Sequence, residues 1–351
     1  MKNSSASPIK QETLENVLRF VASKRNTTRK IIAENCSISL MTAGKAVEFF
    51  INNGLFIERR LSNSNPGPSP YGINLNPKYN CIAVDIYSHN YKACILDVSG
   101  KELSKLNYTY NRNIFIDDNF VRFLKNVKAE GERLHPEYRI GAGLILPENY
   151  VDNISLSPTN TKIKYIETVG NIFCSCLEPR RFCTAGKGDL AIEYFTSIPE
   201  FVSDATLIYI CLNKSSIIST AMVNGKKIIG KDGRTFDISK MCNFNSTDLT
   251  FMLRHSRSPD EYCEIVAFAI SNLIACLNPH YIVLDSEIYR YKSGMAKIIA
   301  SLLKSKYKLS DELIPEFIVP KNNEVSYFYR GMLLKIKNIF IDDVIKQLFN
   351  T

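Results

Sequence analysis

Asp85 closes the apolar run "NCIAVD", and the chain then turns through Tyr87-Ser88-His89-Asn90 into a second apolar run, "YKACILDV". A strand ending in Asp that turns straight into another strand begins several ATP-using folds. Such turns bring backbone N–H groups up to phosphate, and they use glycines with a Thr or Ser to leave room. Here Tyr87 and His89 put bulk where phosphate needs space. The frame of a nucleotide site is present without its lining.

A second group of reactive residues is the thiol cluster Cys174-Ser175-Cys176 with Cys183. No His lies near it and no paired CxxC exists, so a metal site is not expected. The ten cysteines mostly sit inside apolar runs, as buried free thiols do in a reducing compartment. No cofactor is called for by any motif.

The third group is basic. Residues 1–62 hold ten Lys or Arg and five acids, which is over half of the formal net charge of +9 in under a fifth of the 351 residues. That is the footprint of a polyanion partner. The elements that must carry it are helical. Leu14, Val17, Leu18 and Val21 recur at helical spacing. Asn26-Thr27-Thr28 offers a cap for "RKIIAEN", and "CSIS" is a short turn. Ser39 can cap "LMTAGKAVEFFINN", with Ala43, Ala46, Val47, Phe50 and Ile51 as its apolar stripe. Gly54 ends that helix, and "LFIERRL" is an alternating strand. Helix, short helix, tight turn, helix and β-wing is the order of a winged helix-turn-helix. Its reading helix would offer Ser39, Met41, Thr42 and Lys45 to double-stranded DNA. Thr28, Arg29 and Lys30 would touch backbone phosphate, and Arg59 and Arg60 would sit on the wing.

Pro66, Gly67, Pro68 and Pro70 mark a linker over residues 63–78. Beyond it the chain reads as two similar α/β series. The first runs "NCIAVDIY", "YKACILDV", "ELSKLNYTY", a helix and "RIGAGLILP". The second runs "ATLIYICL", "IISTAMVNG", "KKIIG", a helix opened by the capping box Ser258-Pro259-Asp260-Glu261, then "YIVLD". We expect two lobes, residues 79–200 and 201–351, with a cleft between them and with the last helix able to pack back on the first lobe. The opening "MKNSSASPIKQETLE" has no apolar signal region, and no apolar run is long enough to span a bilayer, so a cytoplasmic, membrane-free chain is expected.

Six stretches in this order carry a resemblance: "CIAVDIYSHNYKACILDVSG", "IGAGLILPENYVDN", "ISLSPT", "GDLAIEYF", "IYICLNKSSIISTAMVNGKKIIG" and "LIACLNPHYIVL". Behind a winged helix, they make the chain resemble the ROK family of repressors, open reading frames and sugar kinases, and its N-acetylglucosamine and xylose repressors in layout. The resemblance implies an actin-like or hexokinase-like ATPase fold, homo-oligomers of at least two chains, and a sugar or sugar-phosphate effector.

The family's chemistry is missing from the matching positions. Its catalytic Asp is replaced by Ala185 in Thr184-Ala185-Gly186, and an alanine cannot accept a proton. Its second glycine-rich loop is "SIIST", with Ser216, Ile218 and Thr220 at the glycine places. Its Gly-Glu-Ile-Gly-His is "FDISK", so Asp237 stands for the sugar-binding Glu and Lys240 for the His. Its zinc motif is absent, and its paired glycines after "YIVL" are Asp285-Ser286. Thr184, Asp237 and Lys240 are what is left to touch a sugar. The resemblance therefore implies a DNA-binding regulator with carbohydrate-related targets and a catalytically inactive kinase-like core, not an enzyme. Two readings stand beside it: a sugar kinase with rearranged groups, and an interaction module that no longer binds DNA, since the family's Gly-Arg-Arg-Pro after the wing reads Gly67-Pro68-Ser69-Pro70.

Overall fold

The computed structural model describes residues 9–61, 70–87, 90–109, 118–146, 160–198, 201, 204–212, 217–229, 236–242, 245–286, 294–320 and 326–349. Ser88, His89, Ser216 and the stretch "ISLSPT" lie outside them.

The front of the chain folds into α1 (Gln11–Ser23), α2 (Arg29–Asn35) and α3 (Leu40–Asn52), followed by a hairpin of β1 (Phe56–Arg60) and β2 (Tyr71–Leu75). The apolar stripe expected of α3 is buried at Ala43, Ala46, Val47 and Phe50, against Val17, Leu18 and Ile32 of the other two helices. The expected linker over 63–78 is corrected here. Tyr71–Leu75 is a wing strand, paired antiparallel with β1 from Phe56↔Leu75 to Arg60↔Tyr71. A lone strand leaves a row of N–H and C=O groups unpaired, so β1 needs a partner. Burial of Ile73 and Leu75 against the helices selects this one.

The remainder builds two five-stranded sheets of one topology. The first contains β3 (Asn80–Tyr87), β4 (Asn90–Asp97), β5 (Glu102–Thr109), β6 (Arg139–Leu146) and β7 (Phe182–Gly186), in the order β5-β4-β3-β6-β7. The second contains β8 (Leu207–Leu212), β9 (Ile217–Val223), β10 (Lys226–Lys227), β11 (Tyr281–Ser286) and β12 (Glu316–Ile318), in the order β10-β9-β8-β11-β12. In each, three antiparallel strands lead into two parallel ones. The chain is therefore a duplicated mixed α/β fold, with the N-terminal winged helix-turn-helix in front.

Strand side chains alternate between faces, so each sheet makes two cores. Ile82, Val84 and Ile86 lie under α4 (Asp118–Glu132) and α5 (Asn160–Leu177), whereas Cys81 and Ala83 belong to the opposite face. In the second sheet Ile208, Ile210 and Leu212 meet α8 (Pro259–Leu277) and α9 (Met295–Ser305), with α7 (Leu249–Arg254) beside them. Ser258 caps α8 by accepting from the Glu261 N–H at 3.1 Å, as its sequence predicts. The thiols of the cluster do not converge. Cys174 and Cys176 pack with the α4–α5 core, and Cys183 with the other face. All ten cysteines are free.

The inner faces are covered crosswise. Helix α6 (Lys187–Thr196), which follows the first sheet in sequence, packs Ala191, Ile192 and Phe195 on Leu207, Tyr209 and Met222 of the second. Helix α10 (Tyr327–Phe349), at the end of the chain, packs Met332 and Ile336 on the first. A division at residue 200 thus cuts across the packing, because periodicity reveals a helix's apolar face but not which sheet it covers. The two inner helices touch where a Cβ on Gly331 would collide with the Leu190 carbonyl oxygen.

Candidate nucleic-acid interface and interlobe cleft

The head presents the start of α3 to solvent. Leu40 and Met41 are 59% and 72% exposed, which is unusual for large apolar side chains. Lys45 is exposed one helical turn after Met41, so the two share a face. Lys30 is exposed on α2, and Arg59 and Arg60 on the wing.

Five of the expected contact residues have local partners. Thr28 caps α2, its hydroxyl accepting from the Ile31 N–H at 3.3 Å. Ser39 caps α3, accepting from the Thr42 N–H at 3.1 Å with its hydroxyl 2.8 Å from that of Thr42. Their first task is to satisfy helix-end donors. Arg29 pairs with Glu58 of β1, half-buried, and ties α2 to the wing rather than standing open to phosphate. Arg59 and Arg60 are consecutive on a strand and leave on opposite faces. Arg60 rests on Tyr71, with Nε donating to the phenol oxygen at 3.3 Å. Of the expected set, Lys30, Met41, Lys45 and Arg59 remain exposed without a local partner among the described residues, and exposed Leu40 joins them. Leu40 was missed in sequence because it opens an apolar helix and reads as core.

Between the first sheet and the inner helices, Asp85 is buried near the end of β3 and meets the Lys187 ammonium at 3.4 Å. Lys187 is the first residue of α6, capped by Gly186, and its Nζ also lies 5.4 Å from the Phe328 ring centroid. A cation at a helix N-terminus opposes the helix dipole, and the carboxylate offsets this. Burial, then the Asp85 charge, pushes the neighbouring Tyr329 phenol up from its ordinary value. Lys187 was not singled out in the sequence; its signal is a lysine opening a helix straight after Thr184-Ala185-Gly186.

The second lobe mirrors this arrangement. The Tyr327 hydroxyl donates to Asp285 and lies 2.9 Å from that of Tyr209. Burial, then nearby negative groups, raises both phenols well above their usual range. Asp285 stands where the paired glycines were expected and so joins β11 to the start of α10. Ile218 and Thr220, at the places of the family's loop glycines, are strand residues facing Cys211 and Tyr209, as the strand reading of "IISTAMVNG" expects. Asp189 pairs with Lys227 across the inner helix and β10.

The expected sugar contacts do not meet. Thr184 is exposed on β7, paired with Leu144. Asp237 accepts from the Ser239 N–H at 2.8 Å, and Lys240 pairs with Asp248 at 3.1 Å. Among the described residues no hydrogen bond joins these three, and no group of three His, Cys, Asp or Glu could hold a metal ion. Ala185 is a buried apolar residue at the end of β7.

By sequence, no protein-family model and no curated protein matches the chain. By structure, a ROK family transcriptional regulator, described as a homolog of the E. coli MLC protein, matches at TM-score 0.67 over 97% of this chain and 98% of its own, with 12% identity. The chain has the fold of ROK-family regulators. A ROK family protein from Streptococcus pneumoniae TIGR4 in complex with sucrose matches at TM-score 0.54 and 13% identity, over 74% of this chain and 98% of its own. A ROK hexokinase from Thermus thermophilus matches at TM-score 0.53 and 10% identity, over 73% and 98%. The regulator covers almost all of this chain and the other two about three quarters, a difference about the size of the head and its linker. Within the ROK fold, this chain puts ion pairs and phenols where nucleotide-binding turns were expected. No helix among the described residues is long and apolar enough to cross a membrane.

Proposed function

We propose that the protein is a cytoplasmic, DNA-binding transcriptional regulator of ROK type, acting as a homodimer on a two-fold symmetric operator. The observation that carries this reading is the front of α3, where Leu40, Met41 and Lys45 are exposed on a helix held by its own cap. Exposed apolar side chains at the N-terminus of a reading helix suit thymine methyl groups, and lysines suit phosphate. We assign the head to residues 1–78, one lobe to the first sheet with α10, and the other to the second sheet with α6.

In this reading the lobes serve dimerisation and sensing, with no phosphotransfer. The Asp85–Lys187 pair supports that, since a protein's own ammonium lies against the carboxylate that a metal–phosphate group would need. A sugar effector in the cleft, drawn to Thr184, Asp237 and Lys240, has thinner support because Asp237 and Lys240 are engaged with Ser239 and Asp248. Carbohydrate-related target genes follow from the fold's relatives alone.

The test is selection of bound fragments from random duplex DNA by the full chain, with a deletion of residues 1–78 as control. Enrichment of one palindromic site, absent in the control, is the expected result. No enrichment at low or moderate salt would leave the head as a protein-contact module. Retention on ATP with phosphate transfer to a sugar would restore the kinase reading.

A further inference from the structure

A cavity of about 430 Å³ lies on the seam between head and core. Its walls come from the end of α1, from β2, from the turn after β4, and from α6 and α10. Four cations line it: Lys24 and Arg25 from the head, and Arg330 and Lys337 from α10. Among the described lining residues there is no carboxylate. Asp97 is close in sequence, but its Oδ1 accepts from the Ser99 N–H and hydroxyl and from the Lys101 N–H, which closes its own turn.

The two core cations are held in place. Lys337 is buried and donates to the Ala22 carbonyl at 2.7 Å. Burial, then the charge of Arg25, pushes its amine down to about 8. Arg330 donates to the Tyr194 hydroxyl at 3.1 Å and lies over its ring. A neighbouring cavity shares Lys24 and Lys337 and carries Glu193 and Asp342, the latter paired with Arg19 at 2.8 Å. Thus the acids of the seam line that neighbouring cavity, and the first is left with one sign of charge.

Like charges gathered in a partly closed space repel more strongly than in water. A low-dielectric cleft lined by one sign also concentrates counter-ions. Guanidinium groups match the planar or tetrahedral oxygens of carboxylate and phosphate, and Leu75, Val98 and Leu333 offer apolar wall for a carbon body. The volume is within the usual range for small-ligand pockets, roughly 300–1,000 Å³. We propose that this cavity binds a small organic polyanion, a phosphate ester or a di- or tricarboxylate, gripped by Lys24 and Arg25 of the head and by Arg330 and Lys337 of the core. The site is separate from the interlobe cleft and does not depend on the DNA-binding reading.

Calorimetric titration of the full chain with fructose 1,6-bisphosphate, glycerol 3-phosphate, citrate and inorganic phosphate tests it. We expect saturable binding of at least one organic anion, tighter than inorganic phosphate. The choice between the two phosphate esters and citrate tells phosphate ester from carboxylate. Both K24A/R25A and R330Q are expected to weaken that binding about tenfold or more, because the ligand bridges head and core. Lys24 and Arg25 are exposed, so the head variant carries the test if R330Q fails to fold. The proposal is overturned if none of the four binds more tightly than about 10 mM, or if K24A/R25A binds unchanged. It also falls if K24A/R25A loses duplex DNA affinity while no anion binding is found.

Discussion

Asp85 and Lys187 face each other at 3.4 Å where the first sheet meets the inner helices, with side chains only 10% and 9% exposed. Neither charge has much water to return to. Removing one partner strands the other, which typically costs about 3–5 kcal/mol, whereas replacing both with apolar residues of similar size is often neutral or better. Lys187→Met and Asp85→Asn should each lower unfolding free energy in urea. The double variant Asp85→Leu with Lys187→Met should recover most of the loss. Additive losses would show that the pair is not coupled.

Gly331, the one glycine of α10, should resist replacement. Alanine in a helix interior normally gains about 1 kcal/mol over glycine. Here the added Cβ meets the Leu190 backbone carbonyl, which cannot rotate away. We expect Gly331→Ala to lower the melting temperature in spite of that gain, at an overpacking cost of about 1–3 kcal/mol or more. The nearest atoms to a Cβ at Gly143 belong to the flexible Met332 side chain, so Gly143→Ala should be milder. Equal effects in a thermal melt would argue against the close helix contact.

On DNA, the two kinds of basic residue in the head should separate. Lys45→Ala should weaken binding to all sequences and reduce the slope of log K against log salt by about one. Met41→Ala should change sequence preference with little change in slope. Arg29→Ala should act mainly on stability, because its partner is Glu58. A full salt-slope change in Arg29→Ala would mean that the ion pair opens on DNA.

Lys337 sets a pH window. Its amine is held at about 8 in the folded chain, against an ordinary value of 10.5. Between those values the unfolded chain keeps the proton and the folded chain does not. Stability from this group therefore rises with pH from about 8 to 10.5 and is flat below 8. The whole rise is on the order of 3 kcal/mol. Burial is the main cause, with Arg25 adding to it and Cys81 acting the other way. In Lys337→Met the rise should vanish, so the stability of wild type relative to the variant should climb across this window in paired denaturant titrations. Parallel pH profiles for the two proteins would refute the assignment.

Much was legible in the sequence because it rests on local physics. Spacing of Leu14, Val17, Leu18 and Val21 fixes a buried helix face, and Ser39 and Ser258 cap the helices that they precede. The two strand series and their order could also be read residue by residue. Partnerships across long stretches of chain could not. Tyr71–Leu75 follows a proline-rich stretch and has only five residues, so its role as the second wing strand depends on β1. Arg29 looked like a phosphate contact until Glu58, 29 residues away, proved to be its partner.

The amino-acid sequence alone determined the element types, their order and the bulky side chains of the turn after β3, because helix periodicity, strand alternation and backbone φ preferences act over a few residues. Only the tertiary structure decided that α6 covers the second sheet and α10 the first. It alone set Lys187 against Asp85 and gathered Lys24, Arg25, Arg330 and Lys337 around one cavity. Those choices depend on which apolar faces fit each other and which charges are buried together, and both are properties of packing between segments far apart in the chain.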